Sequence, residues 1–211
     1  MINIKMFSFN PFCENTFIVS NKNDGIIIDP GCLYDDEFVE LDTYLEQNKI
    51  DVKAILITHG HLDHVFGCKY IANKYNTKIY LPELDKPLYD NLEQQSIQFN
   101  IELDMPPAPD YLIKNEDTLT LCDFKIKPLF TPGHSAGEMC YFFEQDNVCF
   151  TGDVLFSGSI GRTDLWEGNY NTIISSIKNK LFTLKDDVVI YPGHGEESTI
   201  GNERQNNPFF T

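Results

Sequence analysis

Three histidines and one aspartate lie within six residues in Thr58-His59-Gly60-His61-Leu62-Asp63-His64, an HxHxDH cluster. With only five histidines in 211 residues, chance would produce this pattern in about two of ten thousand such chains. Three imidazoles and a carboxylate crowded together are costly to desolvate without a common partner, and a cation serves all four. On an extended segment, residues two apart face the same way, so His59 and His61 can address one ion. Asp63 and His64 follow the point where the chain turns and are predicted to diverge from that pair toward a second ion. The other two histidines lie in Thr131-Pro-Gly-His134-Ser-Ala-Gly and Tyr191-Pro-Gly-His194-Gly. Asp153, in Phe150-Thr-Gly-Asp153-Val-Leu-Phe156, is an acid framed by apolar residues, which calls for a strong partner such as a pair of bridged ions. The plainer alternatives are exposed loop histidines and an aspartate that caps the next turn.

Every histidine sits in or beside a turn that ends a strand. Ile26-Ile27-Ile28 runs into Asp29-Pro30-Gly31, and Ala54 to Ile57 runs into Thr58. Phe124 to Phe130 alternates around Lys125 and Lys127, Val148 to Phe150 precedes Thr151-Gly152-Asp153, and Val188 to Tyr191 precedes Pro192-Gly193. Apolar, β-branched and aromatic runs stopped by Pro/Gly clusters are strand signatures. Helical spacing joins Phe38, Leu41 and Leu45 behind Asp35 and Asp36 as candidate caps. It also joins Val65, Cys68, Ile71, Ala72 and Tyr75; Pro87, Leu88 and Leu92; and Ile173, Ile174, Ile177 and Leu181 with Asn171 as candidate cap. Strands interleaved with amphipathic helices predict sheets covered by helices, an α/β or α+β layer structure. The proline-rich segment from Asp104 to Asp110 reads as a stiff extended loop, either bordering a site or plainly connecting.

Thirty-two acids against sixteen Lys and Arg leave a net charge of −16. Such a surface repels polyanions, which argues against nucleic-acid binding and docking on anionic membranes. No apolar run approaches the ~18 residues of a membrane helix, and Asn10, Pro11 and Glu14 interrupt the N-terminal apolar stretch that a secretory signal needs. Six cysteines without CxxC spacing read as reduced, mostly buried thiols of a cytoplasmic protein, with a Cys140–Cys149 pairing as the alternative.

In order and spacing, HxHxDH, a Gly-His, a Gly-Asp and a final Gly-His resemble the metallo-β-lactamase superfamily over essentially the whole chain. The resemblance implies a single domain, residues 1–211, folded as a four-layer αββα sandwich with metals at one edge of two sheets. It implies one ion on His59, His61 and His134 and a second on Asp63, His64 and His194. Asp153 would bridge the two together with a water or hydroxide that Asp63 and Asp153 orient. Two divalent ions per chain are implied, zinc by default, although imidazole and carboxylate donors also accept iron or manganese.

Thr151 to Leu165, TGDVLFSGSIGRTDL, together with the two Pro-Gly-His turns, is similar to short bacterial members of the glyoxalase II group. That group hydrolyses S-2-hydroxyacylglutathione thioesters, which implies a small-molecule thioester substrate. Only seventeen residues follow His194, so the C-terminal helical domain that completes glutathione binding in larger members is expected to be missing. Where those enzymes carry Lys and an aromatic pair, this chain has Arg162-Thr163-Asp164. Arg162 can bind a substrate carboxylate as a bidentate fork, or brace the site by pairing with Asp164 or Asp153. The tail can fold back beside the metals, or Phe209 and Phe210 can simply anchor it. The alternative activity is that of the single-iron persulfide dioxygenases, which share Gly-Arg-Thr-Asp but typically carry Pro-Ala-His where this chain has Pro192-Gly193-His194. β-Lactamases generally lack an aspartate at the Asp153 position. A non-catalytic metal module fits poorly, because structural zinc sites favour closed, cysteine-rich ligand sets.

Overall fold

A computed structural model describes residues 2–114 and 116–211. The chain divides into two compact units, Met1–Ile113 with Leu121–Asp123, and Lys114–Thr120 with Phe124–Thr211.

The first unit holds strands β1 (Asn3–Phe9), β2 (Glu14–Asn21), β3 (Asp24–Ile28), β4 (Asp51–Leu56), β5 (Lys78–Pro82) and β6 (Tyr111–Ile113), hydrogen-bonded in that order. β1 to β3 form an antiparallel meander, and β3 to β6 run parallel. Helices α1 (Asp35–Gln47) and α2 (Cys68–Tyr75) supply the crossovers that parallel strands need. Leu41 and Leu45 of α1 and Cys68 and Ile71 of α2 join Ile18, Ile27, Ile55 and Ile79 of the sheet in one core. The run Ile26-Ile27-Ile28 is wholly buried, as expected of a parallel strand.

Helix ends differ in detail from the sequence reading. Asp35 and Asp36 occupy the first turn of α1 rather than capping it. Glu37 reaches back instead, and its carboxylate accepts from Leu33 N at 2.7 Å and Tyr34 N at 3.1 Å. Val65 falls outside α2, because a 3₁₀ turn over Leu62–His64 intervenes. The stretch after Pro87 is two helices, α3 (Lys86–Asp90) and α4 (Leu92–Phe99), divided at Asn91. The segment from Asp104 to Asp110 has no regular structure, and Pro107 O accepts from Tyr89 Oη at 2.8 Å.

The second unit holds β7 (Leu119–Leu121) as far as Thr120, β8 (Phe124–Phe130), β9 (Met139–Phe143), β10 (Val148–Gly152), β13 (Val189–Pro192) and β14 (Ser198–Thr199), with sheet order β14-β13-β10-β9-β8-β7. A hairpin of β11 (Leu155–Phe156) and β12 (Ser159–Ile160) stands apart from it. Helix α5 (Tyr170–Asn179) buries Ile173 and Ile177 against Leu129, Cys140, Cys149 and Ile190. Its cap is Asn169, not Asn171: the Asn169 carboxamide accepts from Thr172 N at 3.0 Å. In the C-terminal helix α6 (Ile200–Asn206), Arg204 donates to Phe182 O and Leu184 O. Phe210 anchors the tail on Phe182, with ring centroids 4.8 Å apart, while Phe209 is exposed.

Each unit is thus a six-stranded sheet flanked by helices, the mixed α/β architecture that the strand and helix signals predict. All six cysteines are free; Cys32, Cys68, Cys140 and Cys149 are buried, and Cys13 and Cys122 are exposed.

Candidate metal-binding clusters

In the first unit, β3 and β4 run in parallel register with Ile28 opposite Leu56, which places Asp29 beside Thr58 just beyond the strand ends. Asp29 Oδ1 accepts from Thr58 N at 2.7 Å, and Oδ2 accepts from the Thr58 hydroxyl at 2.6 Å. A carboxylate only accepts, so the hydroxyl proton is committed to Asp29. The 3.0 Å contact between Thr58 Oγ1 and His59 Nδ1 therefore has the imidazole as donor. His64 Nδ1, 3.1 Å from Asp29 Oδ2, donates by the same reasoning. With Nδ1 as the donor, Nε2 is the atom each ring would offer a metal (the outer-partner arrangement of metal-binding histidines).

The backbone of the cluster is equally constrained. Gly60 N donates to Asp85 Oδ2 at 2.9 Å, Leu62 N donates to Gln95 Oε1 at 3.0 Å, and Gln95 Nε2 donates to Gly60 O at 3.2 Å. His61 is extended (φ −73, ψ 150), and its ring centroid lies 4.8 Å from that of His59. The 3₁₀ turn then carries His64 back, so that its ring lies 4.1 Å from His59, nearer than His61. Asp63 Oδ2 lies 3.8 Å from His64 Nε2, and Asn10 Nδ2 donates to Asp63 O at 3.2 Å.

Glu14 is wholly buried, with Oε1 3.9 Å from His64 Nδ1, and burial pushes its carboxyl well above the ordinary carboxylate range despite the opposing pull of His64. Glu14, Asp29 and His64 each bring a ligand atom within 4.8 Å of the others. Asp29 is already engaged by Thr58 and His64, which suits an outer partner rather than a ligand.

In the second unit, His134 follows β8 in a turn where Gly133 has φ +136 and a Cβ would come 2.3 Å from Ile173 N. Only glycine allows that backbone and that approach of α5. His134 Nδ1 lies 2.8 Å from Arg162 O, and since a carbonyl only accepts, this ring too presents Nε2. The close pass of the Arg162 loop depends on Gly161, whose Cβ would sit 1.7 Å from Asp153 O. Asp153 N donates to Glu138 Oε1 at 2.6 Å. Gly193 N donates to Gly152 O at 2.8 Å, which ties the end of β13 to the end of β10 and sets His194 beside Asp153. Asp153 Oδ2 is 3.5 Å from His134 Nε2 and 3.6 Å from His194 Nε2. Ligands ~2.0–2.1 Å from a tetrahedral ion stand roughly 3.4 Å from one another, so the Asp153 carboxylate stands at ligand-to-ligand spacing from each of the two imidazoles. The donor chemistry of both clusters, imidazoles beside carboxylates, suits divalent metals.

The Arg162 guanidinium makes a fork to Asp164, Nε to Oδ1 at 2.7 Å and Nη2 to Oδ2 at 2.9 Å. Those hydrogen bonds hold the exposed Asp164 carboxyl at about 2. The bracing of His134 comes from the Arg162 carbonyl, not from a guanidinium pairing with Asp153. Sequence reasoning passed over Asp29, Thr58, Glu138 and Gln95 as site residues. Only Asp29, in a polar turn ending a parallel strand, left a signal that could have found it.

A family profile described as the metallo-beta-lactamase superfamily matches residues 11–194. The chain is 37% identical to hydroxyacylglutathione hydrolase GloC of Haemophilus influenzae over 211 residues, 99% of this chain and 98% of that protein. It is similar to the crystal structure of the BLEG-1 B3 metallo-beta-lactamase (33% identity, TM-score 0.88, 99% and 100% covered). It is likewise similar to TTHA1623 in a di-iron-bound form (30% identity, TM-score 0.85, 97% and 99% covered).

Proposed function

The chain belongs to the metallo-β-lactamase superfamily, and from that premise we propose that it is a dinuclear metal-dependent thioester hydrolase acting on hydroxyacylglutathione-like substrates. The observation that carries the substrate class is the likeness to GloC over nearly the whole length of both chains. In this reading His59, His61 and His134 would hold one divalent ion, Asp63, His64 and His194 would hold the other, and Asp153 would be a ligand to both. The hydrogen bonds that hold the Nδ1 protons of His59, His64 and His134 support the assignment, because they leave the Nε2 atoms for the metals. Zinc is the proposed ion, with iron as the rival given the di-iron form of TTHA1623.

Bound cations lower the pKa of a water from about 15.7 to ~7 and so supply hydroxide at neutral pH. Asp63 and Asp153 would orient the attacking oxygen, and their backbones are held by the Asn10 carboxamide donating to Asp63 O and by Asp153 N donating to Glu138. The leaving thiolate, with a conjugate-acid pKa of ~8.5, departs without a proton donated by the protein. Arg162 lies on an exposed loop and serves substrate capture; its side chain is more than half exposed. The substrate is a small soluble thioester met in the cytoplasm. Among the described residues no helix is long and apolar enough to cross a membrane.

The test is metal analysis of the purified protein beside two assays, thiol release from S-lactoylglutathione and oxygen uptake with glutathione persulfide. Two metal equivalents and thiol release are expected. One iron with oxygen uptake would replace this reading by the persulfide dioxygenase. The likeness to BLEG-1 favours β-lactam hydrolysis as a second reading, tested by β-lactam turnover in the same preparation.

A further inference from the structure

Of His134, Asp153 and His194 in the second unit, His194 is the most accessible: its side chain is 25% exposed, against 12% for Asp153 and 2% for His134. Phe156 stands beside His194. Its ring centroid lies 6.2 Å from that of His194 at 86°, and the residue is half-buried, leaving part of the ring accessible.

The ring is held on a rigid support. Leu155 pairs with Ile160 and Phe156 with Ser159 in the β11–β12 hairpin. Helix α6 and the residue after it then clamp that hairpin, with Gly158 N donating to Glu203 Oε2 at 2.8 Å and Asn207 Nδ2 donating to Ser159 O at 3.0 Å. Glu203 is itself wholly buried and also accepts from Asn202 Nδ2 and Asn207 Nδ2, both at 2.8 Å. An apolar surface fixed beside the most accessible ligand cannot hydrogen-bond a substrate, but it lowers the cost of bringing an apolar group there.

Building on the thioester-hydrolase reading, we propose that Phe156 is a specificity-determining residue that receives the apolar substituent of the acyl group and so favours aryl- or alkyl-bearing hydroxyacyl thioesters over lactoyl ones. The experiment compares kcat/KM for S-mandeloylglutathione and S-lactoylglutathione in the wild type, Phe156→Ala and Phe156→Leu, with metal content measured for each.

The wild type is expected to prefer the mandeloyl ester, and Phe156→Ala to cut that preference by roughly tenfold, mostly through KM. Phe156→Leu, which keeps an apolar side chain, should retain most of the preference, and all three proteins should hold the same metal content. An unchanged mandeloyl-to-lactoyl ratio in Phe156→Ala with its metal intact overturns the proposal. So does loss of metal in Phe156→Leu, which would make the ring a support for His194. A wild type with full metal that cleaves neither thioester overturns the hydrolase reading itself, and this inference with it.

Discussion

The two clusters of candidate metal-binding side chains are built in opposite ways. In the first unit, four candidates come from six consecutive residues, and one strand-to-turn transition followed by a 3₁₀ turn arranges them. In the second, His134, Asp153 and His194 come from the ends of β8, β10 and β13 and meet only because sheet register aligns those ends. The first is a local motif held by a dedicated outer carboxylate, Asp29. The second is a product of tertiary pairing held mainly by backbone atoms, the Arg162 carbonyl and the Gly193–Gly152 bond. Locality makes the first cluster easy to read in sequence, whereas dispersal makes the second depend on every strand that positions it.

Substitution of Asp153 tests the dispersed cluster most severely, since its Oδ2 stands between two imidazoles. Outer partners of metal ligands cost roughly 10–100-fold when removed. Asp153→Ala, as loss of a ligand, is expected to lower turnover by more than that while leaving the far-ultraviolet circular dichroism spectrum near native. Full thioesterase activity in this variant would disprove the bridging role.

For the local cluster, Asp29→Asn replaces an acceptor-only group with one that can present N–H to donors already facing it. Metal affinity should fall about 10–100-fold, measured by competition with a chelator. A Thr58→Ser variant keeps the hydroxyl and should stay near wild type. Equal losses in both variants would mean that packing, not the hydrogen-bond chain, holds the rings.

Arg162→Ala separates side chain from main chain in the second cluster. The carbonyl that holds His134 remains, so metal content is expected to be unchanged while KM for an anionic thioester rises severalfold, the pattern of lost substrate binding at unaltered kcat. Loss of metal would return the guanidinium to a bracing role. In the same variant the Asp164 carboxyl, now at about 2, should titrate near its ordinary ~3.9 by NMR. Because the folded value is depressed, the stabilisation from this pair is present above about pH 4 and is lost as pH falls toward 2.

The smallest effect concerns α5, whose Ile173 backbone closes on Gly133. Asn169→Ala removes its cap and should cost about 1 kcal/mol, a fall of roughly 2–4 °C in the thermal midpoint for a chain of this size. Metal affinity should not change, and a marked loss would show that the dispersed cluster depends on α5 as well as on the strands.

The amino-acid pattern alone made the HxHxDH motif, the β8 strand over Phe124–Phe130 and the apolar faces of α1 and α5 legible. Each of these is encoded within a few residues by period or by residue type. It did not reveal β1 and β2: Asn10, Pro11 and Glu14 read only as interruptions of an apolar stretch, whereas the fold places Asn10 and Pro11 in the turn between the two strands and Glu14 in a buried contact at the start of β2. It misplaced the caps, since Asn169 and Asn171 are equally good cap residues and only the backbone path decides between them.

What sequence determined by itself was the chemistry on offer: how many imidazoles and carboxylates the chain carries, and which of them stand next to one another. Which nitrogen each ring presents, and which carboxylate stands behind it, was decided by tertiary structure. The Nδ1 proton is fixed when an acceptor distant in sequence, such as Asp29 for His64 or the Arg162 carbonyl for His134, comes within hydrogen-bond reach.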